Sequence, residues 1–144
     1  MRVHGRHIVL DTDFDQVVVD ILKAFQDEGL EVISRVDVRE HFKRTLGREF
    51  RRHLVFDVWA PDLAMNAIRQ DLEIGTFIMT RFVIYELADG ETVVSTTEGL
   101  SRLVESGRIQ PPGLAALADR ERARGAEVLS RLLRLRHSQW PSAA

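Results

Sequence analysis

The sequence predicts an α+β fold in which strands and helices alternate as βαβαβαββ before a C-terminal helix. Three observations carry this reading. Apolar residues at i, i+3 and i+4 spacing recur in two segments that stop at Gly29 and Gly47. Residues from His53 to Trp59 alternate apolar and polar. The run from Thr76 to Leu87 is long, β-branched and aromatic, and Asp89-Gly90 follows it as a hairpin turn. With 144 residues, 44% of them hydrophobic, the chain suits a single core. A domain of this size buries roughly 68–70% of its unfolded surface.

Taken in order, Arg6 to Asp11 reads as a strand through Ile8, Val9 and Leu10. Asp13 is the expected N-cap of the first helix, with Gln16 completing a capping box. That helix runs to about Glu28, with Phe14, Val17, Val18, Ile21, Leu22 and Phe25 on its buried side. Leu30 to Val36 is a second strand, and Asp37 caps a short helix whose Val38, Phe42 and Leu46 share one side. Phe42 and Phe50 fit a core pattern. A third strand spans Phe50 to Trp59, and Pro61 opens the next helix at its first position. Leu63, Ala64, Ala67, Ile68 and Leu72 form the buried stripe of that helix. Thr76 to Leu87 and Thr92 to Thr97 should be antiparallel neighbours across Ala88-Asp89-Gly90-Glu91. One face of this pair, with Met79, Val83 and Tyr85, is half apolar, so something should cover it. Residues 1–107 thus form the α+β domain. Residues 108–144 are a linker marked by Gln110-Pro111-Pro112-Gly113 and an amphipathic helix, Leu114 to about His137, that packs on the core or on a sister subunit. Gly125 is a weak point inside it.

Composition narrows the chemistry. A formal net charge of −2 and a pI near 6.2 argue against a polybasic nucleic-acid or membrane protein. The absence of cysteine excludes disulfides, thiolate metal sites and thiol nucleophiles. No apolar run reaches the ~18 residues of a membrane span, and the first seven residues lack a signal-peptide core, so a cytoplasmic location is expected. Asp11-Thr12-Asp13-Phe14-Asp15 imitates a calcium loop but has Gln16 where glycine is required, and His4 with His7 lacks a third ligand. No metal and no cofactor are assigned. Nucleotide-loop and hydrolase motifs are missing.

Several segments in order resemble the bacterial and archaeal domain-of-unknown-function 302 family. They are Gly29 to Val38 (GLEVISRVDV), Leu46 to Arg51 (LGREFR), Ala60 to Ala64 (APDLA), Phe82 to Glu86 (FVIYE) and Val93-Val94-Ser95. The likeness covers about residues 6 to 107. It implies a curved, mostly antiparallel sheet with helices packed against it, similar to the TATA-binding-protein-like architecture, and a homodimer. It implies no activity. Members of the family look like Cys-Asn-Pro where this chain has Trp59-Ala60-Pro61, and like Pro-Cys where it has Met79-Thr80. Thiol chemistry does not carry over, and Ala60 forfeits an N-cap worth about 1 kcal/mol.

Two constellations remain as candidate sites. On one sheet face Arg81 needs a partner that Asp57 or His53 can provide; with Trp59 and Tyr85 they could bind a small anionic ligand, or serve an enzyme or sensor. Between Arg39 and His53 six cations stand against two acids, a local +4, and Arg44, Arg48, Arg51 and Arg52 form an alternative anion site. Asp11 to Glu31 carries −6 and can neutralise it. Few aromatics accompany the cations, which disfavours nucleic acid. The resulting expectation is a non-catalytic, homodimeric module that binds a small ligand or a protein, away from membranes.

Overall fold

The computed structural model describes residues 5–87, 90–107 and 112–139. The chain runs β1 (Arg6–Leu10), α1 (Phe14–Asp27), β2 (Glu31–Asp37), α2 (Val38–Leu46), β3 (His53–Trp59) and α3 (Pro61–Gln70). A 3-10 turn (Leu72–Phe77) leads to β4 (Thr80–Glu86), β5 (Thr92–Glu98), α4 (Gly99–Glu105) and α5 (Leu114–Gln139). The five strands form one open sheet in the order β1-β5-β4-β3-β2, with every neighbouring pair antiparallel. The fold class expected from the sequence is therefore the one observed. The Ala88–Glu91 turn and the Gln110–Gly113 linker fall partly outside the described residues.

Strand alternation divides the sheet into two faces. Leu54, Phe56 and Val58 of β3, Phe82 and Ile84 of β4 and Val94 of β5 point to the helix side and are buried. β1 and β2 lie at opposite edges, so α1 crosses this face between them and seats Val17, Ile21, Ala24 and Phe25 on it. The Phe25 ring meets Phe82 at 4.9 Å and Phe56 at 5.7 Å, both edge-on. Such a fully buried side chain contributes about 1.5–3 kcal/mol by area alone. α5 lies in the same core through Leu114, Leu117, Val128, Leu129 and Leu132.

Left-handed glycines end both helices as expected, Gly29 at φ 67° and Gly47 at φ 63°. Asp37 caps α2 through the Glu40 N–H at 3.0 Å. The capping box at Asp13 does not form: its side chain makes no cap bond, and Gln16 turns to Asp20 instead. Leu72 is not buried either. α3 stops at Gln70, Asp71 caps the 3-10 turn through the Glu73 N–H, and Leu72 is left 83% exposed. Thr76 and Phe77 belong to that turn rather than to β4, and β3 starts at His53 rather than Phe50.

The helix α4 went unread in the sequence because its seven residues are too few for a periodic signal. A Cβ on Gly99, where it begins, would lie 1.9 Å from the Phe77 carbonyl oxygen, so only glycine fits. Gly125 is likewise explained by contact rather than by weakness. Its missing side chain makes room for the ion pair between half-buried Arg6 and buried Glu98, with Glu98 Oε1 at 2.7 Å from a Cβ position.

Candidate functional site

Among the described residues no helix lies across the second face of the sheet, whose Val55, Asp57, Val83 and Tyr85 are half-exposed. His53, Val55, Asp57 and Trp59 of β3 alternate onto it, and register sets Asp57 opposite Arg81, Val55 opposite Val83 and His53 opposite Tyr85. Val93, opposite Tyr85 on β5, is fully buried yet stands outside the main core. The sequence-predicted partners thus meet in two groups.

In the first group Arg81 donates to Asp57 from Nε at 2.8 Å and from Nη2 at 2.9 Å, a two-point pair. The Ser34 hydroxyl on β2 donates to the same carboxylate at 3.3 Å. The Arg81 hydrogen bond holds Asp57 below the usual carboxylate range, against the opposing push of burial. The same bond raises Arg81. Trp59 is apart from this pair: its indole N–H donates to Glu31 across the strand at 3.2 Å.

In the second group the His53 ring stacks on Tyr85 at 5.6 Å with 22° between planes. Burial, helped by the charge of Arg51, lowers the His53 pKa, which keeps the imidazole neutral at pH 7. From His53 the aromatic contacts continue to Phe50 at 6.2 Å and from Phe50 to Phe42 at 5.3 Å. This ladder joins the open sheet face to α2. Sequence reasoning placed Phe42 and Phe50 in the core; instead they pack on each other outside it, with Phe50 42% exposed.

The arm they belong to is built almost entirely in solvent. No residue of β2 or α2 is buried, and Val36, Leu46 and Phe50 add exposed apolar area beside Val55, Val83 and Tyr85. The four arginines of the alternative anion site are not gathered there. Arg52 pairs with Asp15 on α1, Arg51 donates to the Glu86 carbonyl at 3.3 Å, and Arg44 meets Glu40 and His41 within α2. Arg48 stands exposed.

The Trp59-Ala60-Pro61 junction offers no ligand-sized space. Behind it lies a cavity of about 10 Å³, bordered by Trp59, Ala60, Thr80, Leu100 and Glu121. Its ionisable walls are Arg124, which pairs with Asp62, and Glu121, which accepts the Leu100 N–H at 3.2 Å at the start of α4. Burial pushes this carboxyl up to about 7, against hydrogen bonds from Thr80, Leu100 and Ser101. Glu121 caps α4 from α5, a role that nothing in its sequence neighbourhood announces. Among the described residues no helix is long and apolar enough to cross a membrane.

A family profile described as "Domain of unknown function DUF302" matches residues 7–132. The chain belongs to this family. The match includes α5 as well as the sheet. The structure is similar to the crystal structure of an uncharacterized conserved DUF302 protein from Bacillus stearothermophilus. The TM-score is 0.76 at 21% identity, over 89% of this chain and 97% of that one. This likeness establishes the DUF302 fold for the chain. A comparison with curated proteins gave no match.

Proposed function

We propose that the protein is a non-catalytic binding module whose working surface is the open sheet face together with the β2–α2 arm, and that a second copy of the chain covers that surface. The observation behind this reading is the arm itself. It has a side-chain cap at one end of α2, a left-handed glycine at the other, and a ladder of rings tying it to the sheet, yet no side chain in β2 or α2 is buried. Contiguous exposed apolar surface of this kind marks interaction sites. The rows Val36, Val55, Val83 and Phe42, Phe50, Tyr85 are such a surface.

The same geometry weighs against chemistry at Arg81. Asp57 already answers the guanidinium at two points, so an anionic substrate would have to displace it. His53 is neutral, stacks on Tyr85, and feels the positive charge of Arg51 rather than an activating acid. The scattered commitments of Arg44, Arg51 and Arg52 weigh equally against a nucleic-acid groove. Light scattering over a dilution series tests the proposal. Twice the chain mass at high concentration, falling to one chain on dilution, supports it; a single chain mass at every concentration sinks it.

A further inference from the structure

On the helix side of the sheet, α1 covers β3 and β4 but leaves the inner side of β2 open. The result is a groove of about 580 Å³ between α1 and the arm. Its floor is apolar: Phe14, Val18 and Leu54 are core residues at its base, and Val19 stands 61% exposed at its wall. Val19 and Leu22 widen the apolar arc of α1 beyond what the core covers, which a helix with only a packing role would fill with polar residues.

Charge in the groove is unevenly answered. Asp15 is taken by Arg52, whose guanidinium also lies 4.4 Å over the Phe14 ring. One oxygen of Asp37 accepts the Glu40 N–H, Glu40 stands 3.8 Å from Arg44, and Lys43 shares Glu49 at 3.8 Å. Arg35 and Arg39 are left with no carboxylate partner among the described residues. Arg35 is steadied over the Phe56 ring at 5.4 Å, at the inner wall of the groove. Asp37 has no cation partner among the described residues either, so the lining, with Arg35, Arg39, Lys43 and Arg52 against Asp15, Asp37 and Glu40, carries a surplus of one positive charge. Guanidinium groups free of carboxylates above an apolar floor are complementary to one kind of molecule.

We propose that this groove binds a small organic anion, a carboxylate or phosphate ester carrying an apolar body, with Arg35 and Arg39 on the anionic head and Phe14, Val18, Val19 and Leu54 under the apolar part. The volume lies within the range of small-molecule sites, roughly 300–1,000 Å³, and exceeds what a bare phosphate fills. The groove shares the β2–α2 arm, and His53 at its edge, with the surface proposed for the dimer, so its test reads the anion's dependence on Arg35 and Arg39 rather than the mass of the assembly.

Four probes test it by calorimetry and amide chemical shifts, each below its micelle concentration: decanoate, decyl phosphate, decanol and inorganic phosphate. Both decyl anions should bind, with shift changes confined to α1 and the β2–α2 arm. Decanol and inorganic phosphate should bind at least about tenfold more weakly. The tighter of the two anions identifies the headgroup. The double variant Arg35→Ala, Arg39→Ala changes two exposed side chains, so the fold should stay intact; it should weaken both anions about tenfold or more and leave decanol unchanged. Equal binding of decanol and decanoate, unaltered binding in the double variant, or no binding of either anion would overturn the proposal.

Discussion

On the helix side of the sheet even two glutamates, Glu98 and Glu121, are sealed in, whereas on the other side Val55, Val83, Tyr85 and His53 stand half-open. The sealed side uses its polar groups as structure. Glu121 caps α4 from a neighbouring helix, and Arg6 with Glu98 fills the notch left by Gly125. The open side pairs its charges, Arg81 with Asp57, and buries Val93, yet among the described residues Val55, Val83 and Tyr85 stay half-exposed. One side of the sheet is complete within a single chain, and the other is the side for which we propose a second copy. That difference, more than any motif, directs attention to the open face and the arm.

Substitutions should separate the two sides by size. Phe82→Ala, at the centre of the sealed side, should cost about 3–5 kcal/mol in urea unfolding, because it leaves a cavity between Phe25 and the sheet. A loss under about 1 kcal/mol would show that this side is less tightly packed than described. Gly99→Ala should cost about 3 kcal/mol, since its methyl group meets the Phe77 backbone oxygen, which cannot move without shifting the 3-10 turn.

Acidity should distinguish the sides by sign. Glu121 has a folded pKa near 7, above its unfolded value, so the folded state holds a proton that the unfolded chain has lost between those values. The contribution of Glu121 to stability is therefore fully present below about pH 4.5 and is lost as pH rises to about 7, by about 3 kcal/mol in all. Glu121→Gln should flatten that decline in thermal melts taken from pH 5 to 8. An unchanged slope in the variant would remove Glu121 as its cause. Asp57 acts oppositely: its folded pKa is lowered by Arg81, so its contribution is present at neutral pH and lost as pH falls through the acid range.

Arg81→Ala should have the smallest effect, about 1 kcal/mol or less, because Arg81 is 57% exposed and Ser34 still serves Asp57. A collapse of the fold in that variant would make the open face a structural element rather than a surface.

Much of the sealed side was legible in the sequence. Alternation in β3, glycine stops at residues 29 and 47 and the proline start of α3 each reflect local backbone chemistry, so each survived folding. The readings that failed depended on competition. Asp13 and Gln16 could have formed a capping box, but Gln16 found Asp20 one turn on. Leu72 continued a helical stripe that Asp71 interrupts by capping the next turn. On the open side the Arg81–Asp57 pair was readable, because adjacent strands with known faces leave few partners for a lone charge. The aromatic ladder was not, since Phe42, Phe50, His53 and Tyr85 come from three elements and a loop. Arg35 gave no signal and Arg39 was read only as the first of the six cations up to His53, as the two straddle the end of a strand and the start of a helix, where neither period applies.

The claim that the open face is completed by a second copy is tested most directly by the mass in solution of Val83→Arg beside that of the parent chain. Val83 lies between Val55 and Ser95 at the middle of that face, away from the main core. The parent should sediment as a dimer and the variant as a monomer, with matching circular dichroism and melting within a few degrees. A variant that remains dimeric, or a parent that is monomeric, would contradict the account.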